Sequence, residues 1–431
     1  SQDMAVVWSG IADDWRFGPQ IVQIWTRDIL SALERPVSIG TYGGTGGLDG
    51  IPALKGKTQP FGFGECFNAR PELVDPVALL LQFHDGHARR VLAVRDRGAP
   101  LSDAGDYATV ELLLAAQIQP GFYATCLDGG WLRLGDYPNG DITLDFQGDG
   151  IDPARLVATW DDDGYWDDGT GWDVPPGRPY SATAAGILRR LLVDRARLPE
   201  AIIADGHFQD VDRAWPYPMG FYAAAGEGSI SIIDLCNRIA SAAGLVLSEN
   251  RSGHVYIKRL QIPSSGLRLR AEDIVALDRP DSPFGRPVFH AAVPFGLNCT
   301  VQAPADLVRP DDEFIPAETL QPYQAPYRGM MEAGSSRTLE RVQHARSFTL
   351  EDSPYATAEG ALARARDIVA MHSAARTVFR ATVKMRGWRL DLGDAATLIH
   401  PRFGLQAGRP MIVIGIQDGG SARQVSLDLL G

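Results

Sequence analysis

The clearest alternation of apolar and polar positions begins at Val77. Val77, Leu79, Leu81 and Phe83 fall on one face, Asp85-Gly86 offers a two-residue hairpin turn, and Val91 to Val94 begins a return strand. Residues 102–117 then read as a helix, with Ser102 or Asp103 as cap and Val110, Leu113 and Leu114 recurring on one face. Three short strands should follow, punctuated by Pro120-Gly121, Asp128-Gly129-Gly130 and Pro138-Asn139-Gly140. Ile187, Leu188, Leu191 and Leu192 mark a second helix that must end before Pro199. A third runs from about Ser229 to Ala243 and stops at Gly244. Leu245 to Ser248 and Val255 to Leu260 then pair around Asn250-Arg251-Ser252-Gly253.

Nearer the C-terminus, residues 354–374 have helical spacing, with Ser353-Pro354 as a favoured start and Leu362, Ala365, Ile368 and Val369 inward. Phe379, Ala381, Val383 and Met385 alternate, as do Val425, Leu427 and Leu429, which predicts a small barrel or sandwich. The N-terminal end is less legible: Ile21 to Trp25 suits either a strand or a helix start. The glycine-rich run Gly40 to Gly50 must be a loop or hairpin edge, because so many glycines cost too much entropy inside an element.

These elements, with 46 Gly and 29 Pro spread over 431 residues, predict a β-rich, multidomain α+β protein of small barrels or sandwiches with a few packed helices. The expected organisation is an N-terminal β-rich module (1–145), an acidic insertion carrying Trp160, Trp166 and Trp172 (146–180), and a helix-hairpin module (181–299). A linker or extended arm (300–345) and a helix plus C-terminal barrel (346–431) complete it. No apolar run reaches the ~18–20 residues of a membrane helix, and Ser1-Gln2-Asp3-Met4 lacks a secretory signal pattern. Cys66, Cys126, Cys236 and Cys299 show no metal spacing and read as reduced, partly buried thiols of a protein made in the cytosol.

The net charge of −12 is uneven. Between Asp141 and Asp173 stand ten aspartates against one basic residue, Arg155. No Lys/Arg cluster offers the basic face that a nucleic-acid reader needs. Gly56-Lys57-Thr58 fails as a phosphate loop because Ile51 stands where its first glycine must be. Nucleophile elbows and paired metal-binding histidines are absent. His84 and His87 flank the expected Asp85-Gly86 turn and read as surface histidines, and His400, near a strand end, reads as structural. Asp161, Asp163 and Asp167 are the best metal candidates, in the run Asp161-Asp162-Asp163-Gly164 with Asp167 and Asp168. The calcium-loop template is broken, however, because its first and twelfth positions fall on Thr159 and Thr170. A solvated acidic hairpin is the simpler reading. Neither a cofactor nor a catalytic residue is indicated.

A constellation of turn motifs resembles the tail proteins of long-tailed bacteriophages and prophages. It comprises Thr41 to Gly50, Leu54-Lys55-Gly56-Lys57 with Pro60, Asn68, Pro71, Leu73-Val74-Asp75-Pro76 leading to Phe83-His84-Asp85-Gly86, and Arg133-Leu134-Gly135 with Pro138-Asn139-Gly140-Asp141. Leu392-Gly393-Asp394, Ile399 to Leu405 and the ending Val425 to Gly431 are similar to the closing barrel of such proteins. The resemblance implies a tail-tip or baseplate hub in the virion tail, usually a homotrimeric ring that closes the tail tube, anchors fibres and opens for DNA ejection. Implied partners are a distal tail protein, a tape-measure protein, tail fibre proteins, and DNA that passes without specific binding. It transfers architecture and no catalytic residue, and the Trp-bearing acidic insertion departs from it. The tryptophans keep a carbohydrate- or receptor-binding module open as an alternative, and a tail-associated glycan hydrolase stands behind it.

Overall fold

The computed structural model describes residues 29–148, 182–227, 229–262, 265–280, 286–308, 316–418 and 424–431, and the backbone of short strands at 11–17, 22–27, 159–160, 166–167 and 173–174. The described part is β-rich with a few packed helices, the α+β architecture expected from the sequence.

Two five-stranded sheets form the N-terminal region. The first runs Gly220–Ala223, Phe61–Ala69, Ile142–Gly148, Arg90–Asp96, Ala99–Pro100, antiparallel throughout. The second runs Glu72–Asp75, Leu80–Gln82, Trp131–Leu134, Phe122–Cys126, Ser102–Asp106, with its last pair parallel. Cys66, Leu81, Phe83, Val94, Leu132, Leu144 and Phe146 pack together as their shared core. Every residue of Ile142–Gly148 is buried, so its polar face of Thr143, Asp145 and Gln147 is covered and not solvated. The expected boundary at 146 therefore falls inside a central strand.

Three local expectations give way here. The run from Val77 is a turn before it is a strand: the Asp75 carboxylate accepts the N–H groups of Val77 (2.8 Å) and Ala78 (3.1 Å), and Leu79 has φ +53°. Only Leu80–Gln82 is strand, and Val77 is 90% exposed. Asp85-Gly86 does not close a hairpin, since Leu80–Gln82 and Arg90–Asp96 lie in different sheets. Residues 102–117 divide into the strand Ser102–Asp106 and a short helix, Val110–Ala115. Asp103 bonds forward to the Gly105 N–H (2.8 Å), Gly105 has φ +113°, and the helix starts at its own cap, Thr109, which accepts the Leu112 N–H.

The central core gathers the helices Ala184–Arg190, Asp205–Ala214, Ile232–Ala243 and Ala358–His372 around Phe61, Phe63, Ile257, Ala291 and Val293. Ile232–Ala243 matches its sequence signals: Ser231 caps it through the Asp234 N–H, and Gly244 ends it with φ +70°. The strands Leu245–Glu249 and Val255–Arg259 pair as expected, their turn held by Asn250, which accepts the N–H groups of Ser252 and His254 (both 3.0 Å). Ala358–His372 starts at Thr357 instead of Ser353-Pro354, because the preceding residues serve the first sheet: Pro354 accepts the Gly220 N–H (2.8 Å) and Tyr355 bridges Met219. This helix packs on the strands Val288–Leu297 and Tyr327–Gly334, so it belongs to the central core.

Six strands form the last sheet, in the order Leu267–Arg270, Ala395–His400, Leu405–Asp418, Gln424–Leu430, Val378–Lys384, Ile274–Asp278. The two edge strands are separated in sequence only by the turn Ala271–Asp273. Such a link reaches about 10–14 Å, whereas a flat six-stranded sheet is roughly 24 Å wide. The sheet must curl until its edges approach, which is the small barrel the alternating sequence predicted. Its core holds Leu269, Phe379, Leu398, Met411 and Leu427. Residues 267–278 complete it from outside the expected 346–431.

The described residues of 300–345 are no free linker. Tyr327–Gly334 pairs with Val288–Leu297 from Leu297↔Tyr327 to His290↔Gly334, and Cys299 and Val308 of the connection bond to the first N-terminal sheet.

Candidate functional site

The polar chemistry of the described residues concentrates at the joints between sheets. At the first joint, Asp145 of the strand Ile142–Gly148 collects four hydrogen bonds. Arg95 gives it both prongs (3.1 and 2.8 Å), Arg328 gives one (2.9 Å), and the Asn68 N–H gives another (2.7 Å). Burial pushes this carboxyl upward, but Arg95, the Asn68 N–H and Arg328 outweigh it and hold the group below the usual carboxylate range. Arg328 also lies 4.0 Å over the Phe67 ring. One carboxylate thus holds its two neighbours within the first N-terminal sheet and ties the strand Tyr327–Gly334 to it.

A second joint links the helical core to the barrel. Lys258 pairs with Asp394, the Tyr256 hydroxyl donates to the Leu392 carbonyl (3.0 Å), and Arg251 stacks 4.5 Å over Trp388. Asp391 beside them is pushed above the usual carboxylate range by burial and by Asp394. Next to it opens a cleft of ≈ 510 Å³ between the helix Asp205–Ala214 and the barrel, lined by His207, Asp210, Lys258 and Asp394. Within the helical core, Arg259 and Arg364 share Asp367 at 2.8 and 2.7 Å, and Arg259 lies 3.7 Å over Trp215. Another cleft, of ≈ 530 Å³, opens where the two N-terminal sheets meet, between Arg70, Leu73, Leu134 and Tyr137.

The glycine-rich loop is built around Asp49. Its carboxylate accepts the N–H groups of Gly43 (2.8 Å) and Thr45 (3.3 Å) and the Thr45 hydroxyl (2.6 Å). These bonds, led by the Thr45 hydroxyl, lower the Asp49 pKa, so the aspartate serves as the staple of an otherwise costly loop.

Among the expected site residues, Asp161 and Asp163 lie outside the described residues. Asp167 stands in the short strand Trp166–Asp167, which pairs with Thr159–Trp160 and Asp173–Val174, with Trp160 and Trp166 as backbone register partners. Among the described residues no group of three or more His, Cys, Asp or Glu could hold a metal ion. His84 is not at the surface. It is fully buried, and its Nδ1 accepts the Gly62 N–H (3.1 Å). His400 caps a turn, accepting the Arg402 N–H (3.1 Å). Burial pushes the Cys126 thiol up to about 11 and those of Cys236 and Cys299 to about 12, which leaves them poor nucleophiles. Asp85, Asp145 and Asp394 escaped the sequence reading because their partners lie 110, 50 and 136 residues away.

No family model matches the chain, and no curated protein matches it. Among solved structures, a protein in the virion of a native gene transfer agent particle matches with a TM-score of 0.51 at 12% identity, covering 87% of this chain and 84% of that one. The two share a fold along most of their length. Two further matches are a 43 kDa tail protein of prophage MuSo2 from Shewanella oneidensis and the prophage tail protein gp18 from Listeria monocytogenes. Both have a TM-score of 0.33; they cover 68% and 70% of this chain, and 75% and 73% of their own, at 14% and 12% identity. The fold that this chain shares over most of its length is thus one found in a virion protein.

Proposed function

We propose that this chain is a structural, non-enzymatic subunit of a phage-type tail tip or baseplate hub, resident in the virion tail. In this reading three copies form a ring that closes the tail tube, meets the distal tail and tape-measure proteins, anchors fibres and opens for DNA ejection. The observation that carries it is the fold shared with a virion protein over 87% of the chain. The joints add physical support. The barrel takes two strands from mid-chain, and the first N-terminal sheet takes Gly220–Ala223 as an edge. These exchanges lock the regions into one body suited to bearing load. The glycan-binding alternative predicts a different behaviour, a monomer whose tryptophan fluorescence changes with bacterial surface glycans.

The test is native mass across a tenfold concentration range, together with peptide mapping of purified tails. A discrete trimer that is also found in tails supports the ring. A strict monomer absent from tails rejects it.

A further inference from the structure

Asn139-Gly140 is the only Asn-Gly pair in the chain; Asn68, Asn237, Asn250 and Asn298 are followed by Ala69, Arg238, Arg251 and Cys299. The pair carries a covalent chemistry of its own. A glycine after an asparagine sets no side chain in the way of its backbone nitrogen, which can attack the amide carbon of the asparagine. The bond from Gly140 N to Asn139 Cγ closes a succinimide ring. The side-chain nitrogen leaves as ammonia, taking the proton of the Gly140 N–H. Water then opens the ring at either carbonyl and leaves aspartate or isoaspartate at 139.

The fold places one carboxylate against both nitrogens of that step. Asp96 ends the strand Arg90–Asp96, in register with Ile142 of one neighbour and Ala99 of the other. Its Oδ1 accepts the Gly140 N–H (3.0 Å), and its Oδ2 accepts the Asn139 N–H (2.7 Å) and the Asn139 side-chain amide (3.1 Å). The nitrogen that attacks and the nitrogen that leaves are thus held by the same group. Ring closure requires Gly140 to give up its N–H and the Asn139 amide carbon to swing over that nitrogen, so these bonds must break first. Asp96 is 8% exposed and makes no ion pair among the described residues. The three donors of the turn therefore satisfy a buried charge, and hydrogen bonds to a charged group are the strong ones.

Modification does not leave the turn as it was. A carboxylate at 139 faces Asp96 where an amide donor stood, which exchanges a hydrogen bond for repulsion, and isoaspartate also adds a carbon to the backbone. Tyr137, Pro138, Gly140 and Asp141 of this turn line the ≈ 530 Å³ cleft where the two N-terminal sheets meet, and Asp141 pairs there with Arg70 (2.9 Å).

We propose that Asn139 is a self-modifying site: its deamidation through Gly140 is held back by the Asp96 clamp, and once it occurs it opens the turn and reshapes the cleft. The inference is independent of the tail-hub reading.

The experiment incubates the full chain at neutral pH, folded and in urea, and follows residue 139 by peptide mass with separation of the isoaspartyl form. Conversion should be at least about tenfold slower in the folded chain than in urea, where Asn139 should react fastest of the asparagines. Asp96→Asn removes the charge of the clamp and keeps its shape; it should speed conversion in the folded chain at least about threefold and leave the rate in urea unchanged. Should that variant fold poorly, Asn139→Asp reads the clamp from the other side, and amide exchange in the turn 137–141 should be at least about tenfold faster than in the parent. Equal conversion rates folded and in urea, a folded rate indifferent to Asp96→Asn, or a turn as protected in Asn139→Asp as in the parent overturns the proposal.

Discussion

Asp85 and Arg195 form a two-pronged ion pair, with both N–O contacts at 2.8 Å and side chains 0% and 3% exposed. The same carboxylate accepts the Ile39 N–H (2.9 Å), so the segment before the glycine-rich loop, the end of the second sheet's strand and the helical core meet at one charge. Arg195 lies 5.1 Å from the centre of the Phe63 ring, which completes its apolar surroundings.

Removing one partner leaves the other charge buried without its counterpart. Asp85→Ala should therefore lower stability by about 3–5 kcal/mol, and Asp85→Ala with Arg195→Met should recover part of that loss. Urea denaturation of the single and double variants measures both. A single variant within ~1 kcal/mol of the parent would mean that water reaches the pair.

Asp145 sets an acid dependence. Its carboxyl titrates below the unfolded value of about 3.9, so the folded state binds protons less readily than the unfolded chain there. The stability it contributes is fully present above about pH 4 and is lost as pH falls through the lower folded value. Urea midpoints measured from pH 6 downward should fall more steeply below about pH 4 in the parent than in Asp145→Asn, which starts lower but has lost this slope. Parallel profiles would place the acid sensitivity elsewhere.

Two glycines separate backbone strain from steric conflict. Gly64 has φ +67° inside the strand Phe61–Ala69, and a Cβ there would stand 2.0 Å from the Met219 carbonyl oxygen. Gly46 has φ +98° in the Asp49 loop with nothing within 4 Å of its Cβ position. Gly46→Ala should cost about 1 kcal/mol from conformation alone. Gly64→Ala must also push apart two paired strands and should cost at least about 2 kcal/mol more. Thermal unfolding of the two variants side by side checks the order.

Much of this fold is written in short-range signals. Ser231 and Gly244 mark the ends of one helix, Asn250 shapes the turn after it, and the alternation over Phe379–Val383 and Val425–Leu429 names the inward faces of two barrel strands. Each signal works within a few residues, through a cap, a positive φ or the pleat of a strand, so the sequence alone carries it. The turn motifs behind the phage-tail resemblance are of the same kind, which is why they pointed to architecture.

Tertiary structure decided the rest, because pairing over long separations depends on which surfaces can be buried together. Asp85-Gly86 has the composition of a hairpin turn, yet the two flanking strands find better partners in separate sheets. His84 looked like a turn histidine and is buried because the second sheet closes over it and Gly62 supplies its hydrogen bond. The polar, proline-rich run after Thr300 looked like a linker, yet Leu307, Val308, Leu320 and Tyr323 in it form a buried cluster, being too far apart for any local period to reveal. Asp145 is one acid among 53 until Arg95, Arg328 and Asn68 converge on it. Local geometry fixes where an element starts and stops, and burial of charge and apolar surface chooses what it touches.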